Sequence, residues 1–167
     1  MVVRFWEEAG ENGKRPGLSV HDDLLQRDFT AVDLNEVWLT DITKHFTDEG
    51  KLYLCAIKDA FSGRIVGYSM GSGMEARLAV NALENAVQRR GNVAGRVVHS
   101  DRGSQLGARS FVNALDRHHL IGSLRQVGAA RDNAAMESCF VLLQNNLLDR
   151  KYSRSREKLR AAIITWI

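Results

Sequence analysis

Between Val37 and Thr43 the chain reads Val-Trp-Leu-Thr-Asp-Ile-Thr, rich in the β-branched and aromatic residues that fit a pleated strand. Two similar runs, Leu52 to Asp59 and Arg64 to Ser69, follow at short spacing. The connections Thr47-Asp48-Glu49-Gly50 and Ala60-Phe61-Ser62-Gly63 carry turn chemistry, so the three runs are predicted to form an antiparallel meander. Apolar positions then recur with helical spacing. Ser72-Gly-Met-Glu75 has the pattern of a capping box. The helix it opens is predicted to reach about Arg90, with Ala76, Val80, Leu83 and Val87 inward and Gly91-Asn92 as its stop.

Arg96 to Ser100 reads as a short fourth strand, Arg109 to His118 as a helix burying Phe111, Ala114 and Leu115, and Leu120 to Leu124 as a fifth strand. Arg125 to Arg131 contains Gly128-Ala-Ala130 and reads as a mobile loop. Asp132-Asn133 can cap a helix from Ala134 to Leu148, whose core stripe is Met136, Phe140, Leu143 and Leu147. A last helix opens near Ser155 and is still running at Ile167, so the chain is expected to be C-terminally truncated. Residues 1–36 are polar and acidic, with Pro16-Gly17 interrupting any helix. They read as a leader or the remnant of an upstream linker, leaving 37–167 as the core domain.

Three meander strands, a helix, then strand, helix, strand and helix is the element order of the ribonuclease H-like fold. The expected class is α/β, with a five-stranded mixed sheet of three antiparallel and two parallel strands flanked by helices. In that arrangement the first strand lies beside the fourth, which would bring Asp41 and Asp101 together.

Composition narrows the picture further. At 167 residues the chain suits one domain with a proper core, and its apolar runs are too short to span a bilayer. The start, Met1-Val-Val-Arg-Phe-Trp6 followed by Glu7-Glu8, lacks the layout of a secretory signal. Cys55 and Cys139 have apolar neighbours and read as two buried thiols rather than a disulfide or metal site. Charge is uneven. Residues 1–50 carry 5 Lys/Arg against 11 Asp/Glu, whereas residues 51–167 carry 18 against 9, mostly Arg. An Arg-rich body suits a phosphate-backbone partner, although many basic domains bind no nucleic acid.

Three acids stand out. Asp41 interrupts an apolar stretch, and a carboxylate buried there needs a partner or a metal. Taken alone it could equally be a strand-end Asp facing water. Asp101 closes a strand, as many turn aspartates do, and Glu137 lies one turn into its helix at the border of the core stripe, where a solvated Glu is common. Together they fit one chemistry: hard divalent cations take carboxylate oxygens from different elements, and a pair of them drives in-line phosphoryl transfer.

Four ordered segments make the resemblance specific. They are Asn35 to Thr43, Tyr53 to Asp59 with Ser62-Gly-Arg64-Ile-Val-Gly67, His99-Ser-Asp101-Arg-Gly-Ser-Gln105, and Asp132-Asn-Ala-Ala-Met-Glu137-Ser138. Thirty-five residues separate Asp101 from Glu137. Over about residues 20–167 the chain resembles the second reading-frame protein of insertion-sequence-three-type bacterial transposases, which is similar to the retroviral integrase core. The resemblance implies a DDE-type transposase or integrase catalytic domain, with Asp41, Asp101 and Glu137 as catalytic residues holding two Mg²⁺ or Mn²⁺ ions. Water would cut the element's end, and the freed 3′-OH would attack a second phosphodiester without a covalent enzyme–DNA intermediate.

By position, the resemblance further implies DNA contacts from Arg102, Ser104, Gln105, Arg125, Arg131 and Gln144. At Gln144 family members often carry Lys or Arg, so this chain supplies a hydrogen-bonding amide without the charge. Implied partners are the element's terminal repeats, target DNA, an upstream helix-turn-helix transposase protein and further copies of the chain on DNA, with no membrane. The implied location is the bacterial cytoplasm, nucleoid-associated when bound to DNA. Two competing readings remain: a truncated, inactive remnant that keeps the fold and weak DNA binding, and another ribonuclease H-like nuclease. The spacing and motif context argue against the second.

Overall fold

The structure is a computed structural model and describes residues 24–25, 30–100, 105–124, 134–150 and 152–167. Strands β1 (Val37–Thr47), β2 (Gly50–Asp59) and β3 (Ile65–Gly71) form the antiparallel meander, followed by α1 (Ala76–Arg90). Next come β4 (Val97–Ser100), α2 (Arg109–Arg117), β5 (Ile121–Leu124), α3 (Ala134–Leu143) and α4 (Arg156–Trp166). The sheet order is β3-β2-β1-β4-β5, with β4 parallel to both β1 and β5. This is the mixed sheet expected from the element order, with β1 at its centre.

Alternation of side chains divides the sheet into two faces. Trp38 and Ile57 turn to one face, where Leu78, Ala79 and Leu83 of α1 and Phe111 and Leu115 of α2 cover them. Val37, Leu39 and Ala56 turn to the other face, against Met136 of α3. Farther along that second face, Leu52 and Leu54 meet Leu143, Leu159 and Ile163. Both thiols are free and buried, as the sequence implied.

Several local expectations change. β1 runs four residues past Thr43, because Lys44 and Phe46 are exposed while His45 and Thr47 are buried, so the strand alternation continues to the turn. The capping box does not form: Glu75 is the N-cap of α1 and makes no capping bond through its side chain. The buried face of α1 is Leu78, Ala79, Ala82, Leu83 and Ala86, with Val80 and Val87 only partly buried. The cause lies on β3. A Cβ at Gly67 would come within 2.6 Å of Ala86 Cβ and 2.7 Å of Ala86 N. Helix and strand therefore touch backbone to backbone, and small residues rather than valines must line the seam.

The expected helix from Ala134 to Leu148 has the predicted limits but changes character. Its last five residues, Gln144–Leu148, form a π-helical turn. Beyond it the chain is fastened to the β1–β2 turn. Tyr152 Oη donates to Asp48 Oδ1 (2.6 Å), Asp48 N–H to Arg154 O (3.1 Å), Arg156 N–H to Glu49 Oε2 (2.9 Å) and Arg156 Nε to Lys51 O (3.0 Å). Ser155 caps α4 by accepting from Lys158 N–H. Part of the expected leader is also anchored, since Leu24 N–H donates to Ser123 Oγ and Leu25 and Ala31 pack against the cluster of Val37, Leu39, Ala56 and Met136.

Candidate active site

The parallel pairing of β1 with β4 runs Val37↔Val97, Trp38↔Val98, Leu39↔His99 and Thr40↔Ser100, and ends there. Asp41 is the next residue on β1. Asp101, the next after Ser100, lies outside the described residues. Ligands of open α/β sheets gather at such carboxyl ends of parallel strands. Burial along β1 changes at the same point: Val37 to Thr40 are buried, and Asp41 is half-buried. Asp41 is therefore neither a sheet-edge residue nor a core residue. Its Oδ1 accepts the N–H of Ile42 at 2.7 Å.

Asp41 shares its face with Val37 and Leu39, the face that α3 covers. Met136 of α3 is fully buried against those residues, while Glu137, the next residue, is exposed in the helix's first turn. Burying Met136 thus fixes the helix at its start and leaves Glu137 accessible on the helix that covers the Asp41 face. Both acids offer oxygen only, the donor chemistry that suits Mg²⁺ or Mn²⁺. Among the described residues no three His, Cys, Asp or Glu converge as a metal cluster, and Asp101 is not among them.

The surroundings are structural. Thr40 Oγ1 donates to Ala56 O (3.1 Å) and lies 3.7 Å from Cys55 Sγ. Burial pushes the Cys55 thiol up to about 12, with the Asp41 charge adding to the effect and the Thr40 contact opposing it. Burial thus favours the protonated, less reactive form of that thiol. His99 is buried and bridges β4 to β5 through Nδ1 and Ser123 Oγ, 3.0 Å apart.

Among the described residues the most deeply buried carboxylate is Asp59, for which the sequence suggests no catalytic role. Its Oδ1 accepts from Asn35 N–H (2.9 Å), and its Oδ2 accepts from Ser62 N–H (2.9 Å) and Ser62 Oγ (2.6 Å). It locks the β2–β3 turn to the entry of β1. The Ser-Gly turn three residues on was the signal for this role. Lys58, also passed over, donates from Nζ to Ala135 O at 3.2 Å, joining β2 to the first turn of α3.

Of the six expected DNA contacts, Arg102, Ser104, Arg125 and Arg131 lie outside the described residues. Gln105 is half-buried and donates through Nε2 to Met74 O (3.2 Å), tying its turn to the β3–α1 connection. Gln144 is exposed at the start of the π-helical turn and donates to Asp149 Oδ1.

Residues 32–129 match the family model of the integrase core domain. The chain is 40% identical over 151 residues to the transposase InsF of insertion sequence IS3A from Escherichia coli K12, a match covering 90% of this chain and 52% of that protein. It therefore spans about half the length of the curated relatives it matches. Among solved structures, the catalytic domain of the Mos1 mariner transposase has a TM-score of 0.63 at 17% identity, covering 79% of this chain and 69% of that one. The catalytic core domain of HTLV-2 integrase in complex with magnesium has a TM-score of 0.56 at 19% identity, covering 71% and 73%. These two likenesses concern the fold. The matched segment carries the β1–β4 pairing and Asp41, and by sequence and fold alike the chain belongs to the integrase core domain family.

Proposed function

We propose that this chain is the catalytic core of a DNA transposase, in which Asp41, Asp101 and Glu137 hold two divalent metal ions, Mg²⁺ or Mn²⁺, for DNA cleavage and strand transfer. The observation that carries the reading is the β1–β4 register. It sets two segments sixty residues apart side by side and ends at Thr40↔Ser100, one residue short of Asp41 and Asp101. The exposed Glu137 on the helix that covers the Asp41 face supports it, as does the 40% identity to an insertion-sequence transposase.

Asp41, Asp101 and Glu137 would supply the carboxylate oxygens that hold the ions. Bound there, the ions supply activation of the attacking oxygen and stabilisation of the leaving one. The chain's part is to hold three carboxylates at fixed separation and to grip the DNA beside them. Arg102, Ser104, Gln105, Arg125, Arg131 and Gln144 are the proposed grip. Terminal-repeat and target DNA, further copies of the chain and an upstream helix-turn-helix protein are the proposed partners. The proposed place of work is the bacterial cytoplasm, at the nucleoid when DNA is bound. Among the described residues no helix is long and apolar enough to cross a membrane.

A second reading, a remnant that keeps the fold and weak DNA binding without mobilising DNA, draws support from Gln144. That side chain carries no charge and is bonded to Asp149. Calorimetric titration with Mn²⁺ tests the main reading. Asp101→Asn and Asp41→Asn should each weaken binding at least about tenfold with unchanged melting, and unchanged affinity in both would remove the assignment of the site.

A further inference from the structure

We propose that Lys58 is a positioning residue, whose ammonium holds the first turn of α3 against β2 and thereby sets the Glu137 carboxylate relative to Asp41; this rests on the metal-binding reading above. Lys58 shares its sheet face with Ala56, the residue paired with Asp41 across the β1–β2 ladder. From there its Nζ reaches Ala135 O at 3.2 Å, two residues before Glu137.

Two features set this contact apart from ordinary surface lysine chemistry. The cation sits at the N-terminal end of α3, where the helix dipole disfavours positive charge, so helix stability does not explain it. Lys58 is also half-buried, lining with Cys139 and Leu142 a cavity at the flank of α3. The ammonium is thus fixed along the helix that carries Glu137.

Positioning and plain electrostatics predict opposite signs. A cation near a divalent metal site repels the metal, so deleting it would tighten Mn²⁺ binding if charge were all that mattered. Deleting a group that orients a ligand weakens binding, by about tenfold or more in known metal sites. The test is Mn²⁺ titration of the full chain, without DNA, for Lys58→Met, Lys58→Gln and Lys58→Arg, each checked by thermal melting. Met and Gln should bind about tenfold more weakly at unchanged melting temperature, and Arg, which keeps a long donor, should recover most of the loss. Whichever of Met and Gln melts like the wild type decides. Mn²⁺ affinity equal to or tighter than wild type in that variant overturns the proposal. Glu137→Gln runs in parallel: if it also binds as the wild type does, the metal-site reading falls, whereas weakening in Glu137→Gln alone removes only the role of Lys58.

Discussion

Single residues carry two kinds of constraint here, close approach and burial without a partner. Gly67 is the first kind. Adding one methyl group pushes against the backbone of α1, which cannot give way as a side-chain tip can. Gly67→Ala should therefore destabilise the fold by about 1–3 kcal/mol in denaturant melts, and a neutral effect would show that α1 can slide on β3. His45 is the second kind. It is 8% exposed on β1, its Nε2 has no hydrogen-bond partner among the described residues, and burial lowers its pKa. The unfolded chain then binds the proton more readily. The stability tied to the neutral ring is complete above the ordinary value of 6.5 and is lost as pH falls from there through the lowered folded value. His45→Leu should flatten that stretch of the stability–pH curve relative to wild type, and a parallel slope in the mutant would contradict the assignment. Asp41 could be picked out from its apolar neighbours. For Asp59 the Ser62-Gly63 turn signalled only the local contact, whereas the bond from Asn35 N–H, 24 residues away, left no mark in the sequence.

At the scale of elements, most of the secondary structure was legible because period-2 and helical patterns are strong between Val37 and Leu124. What failed was local. The buried face of α1 was misread because hydrophobicity favoured Val80 and Val87, whereas the seam at Gly67 needs alanine. The π-helical turn left no readable mark, since Gln144 to Leu148 fits an α-helical pattern equally well. Asp59 belongs to this scale through the turn it holds. Asp59→Ala would strand Asn35 N–H and both donors of Ser62, and should cost about 2–4 kcal/mol. Mn²⁺ affinity of whatever fraction stays folded should be unchanged, which separates this structural acid from Asp41. A loss of metal binding without a loss of stability would reverse that separation.

For the whole molecule, the element order matched the ribonuclease H-like fold, and that fold supplied the expectation of β1 beside β4 that the sheet bears out. The charge asymmetry belongs to this scale as well, with an excess of nine cations over residues 51–167. Binding to duplex DNA should weaken linearly on a log–log salt plot with a slope of about −3 or steeper, the signature of several neutralised phosphates. A flat plot would leave the basic body without a nucleic-acid role. Above all of this stands the proposed phosphoryl-transfer site of three carboxylates. The most direct measurement is Mn²⁺-dependent nicking of a duplex carrying the element's terminal repeat, wild type against Glu137→Gln. The wild type should nick, and nicking should fall at least about a hundredfold in the mutant while the fold is kept. Equal nicking by both proteins would contradict that site.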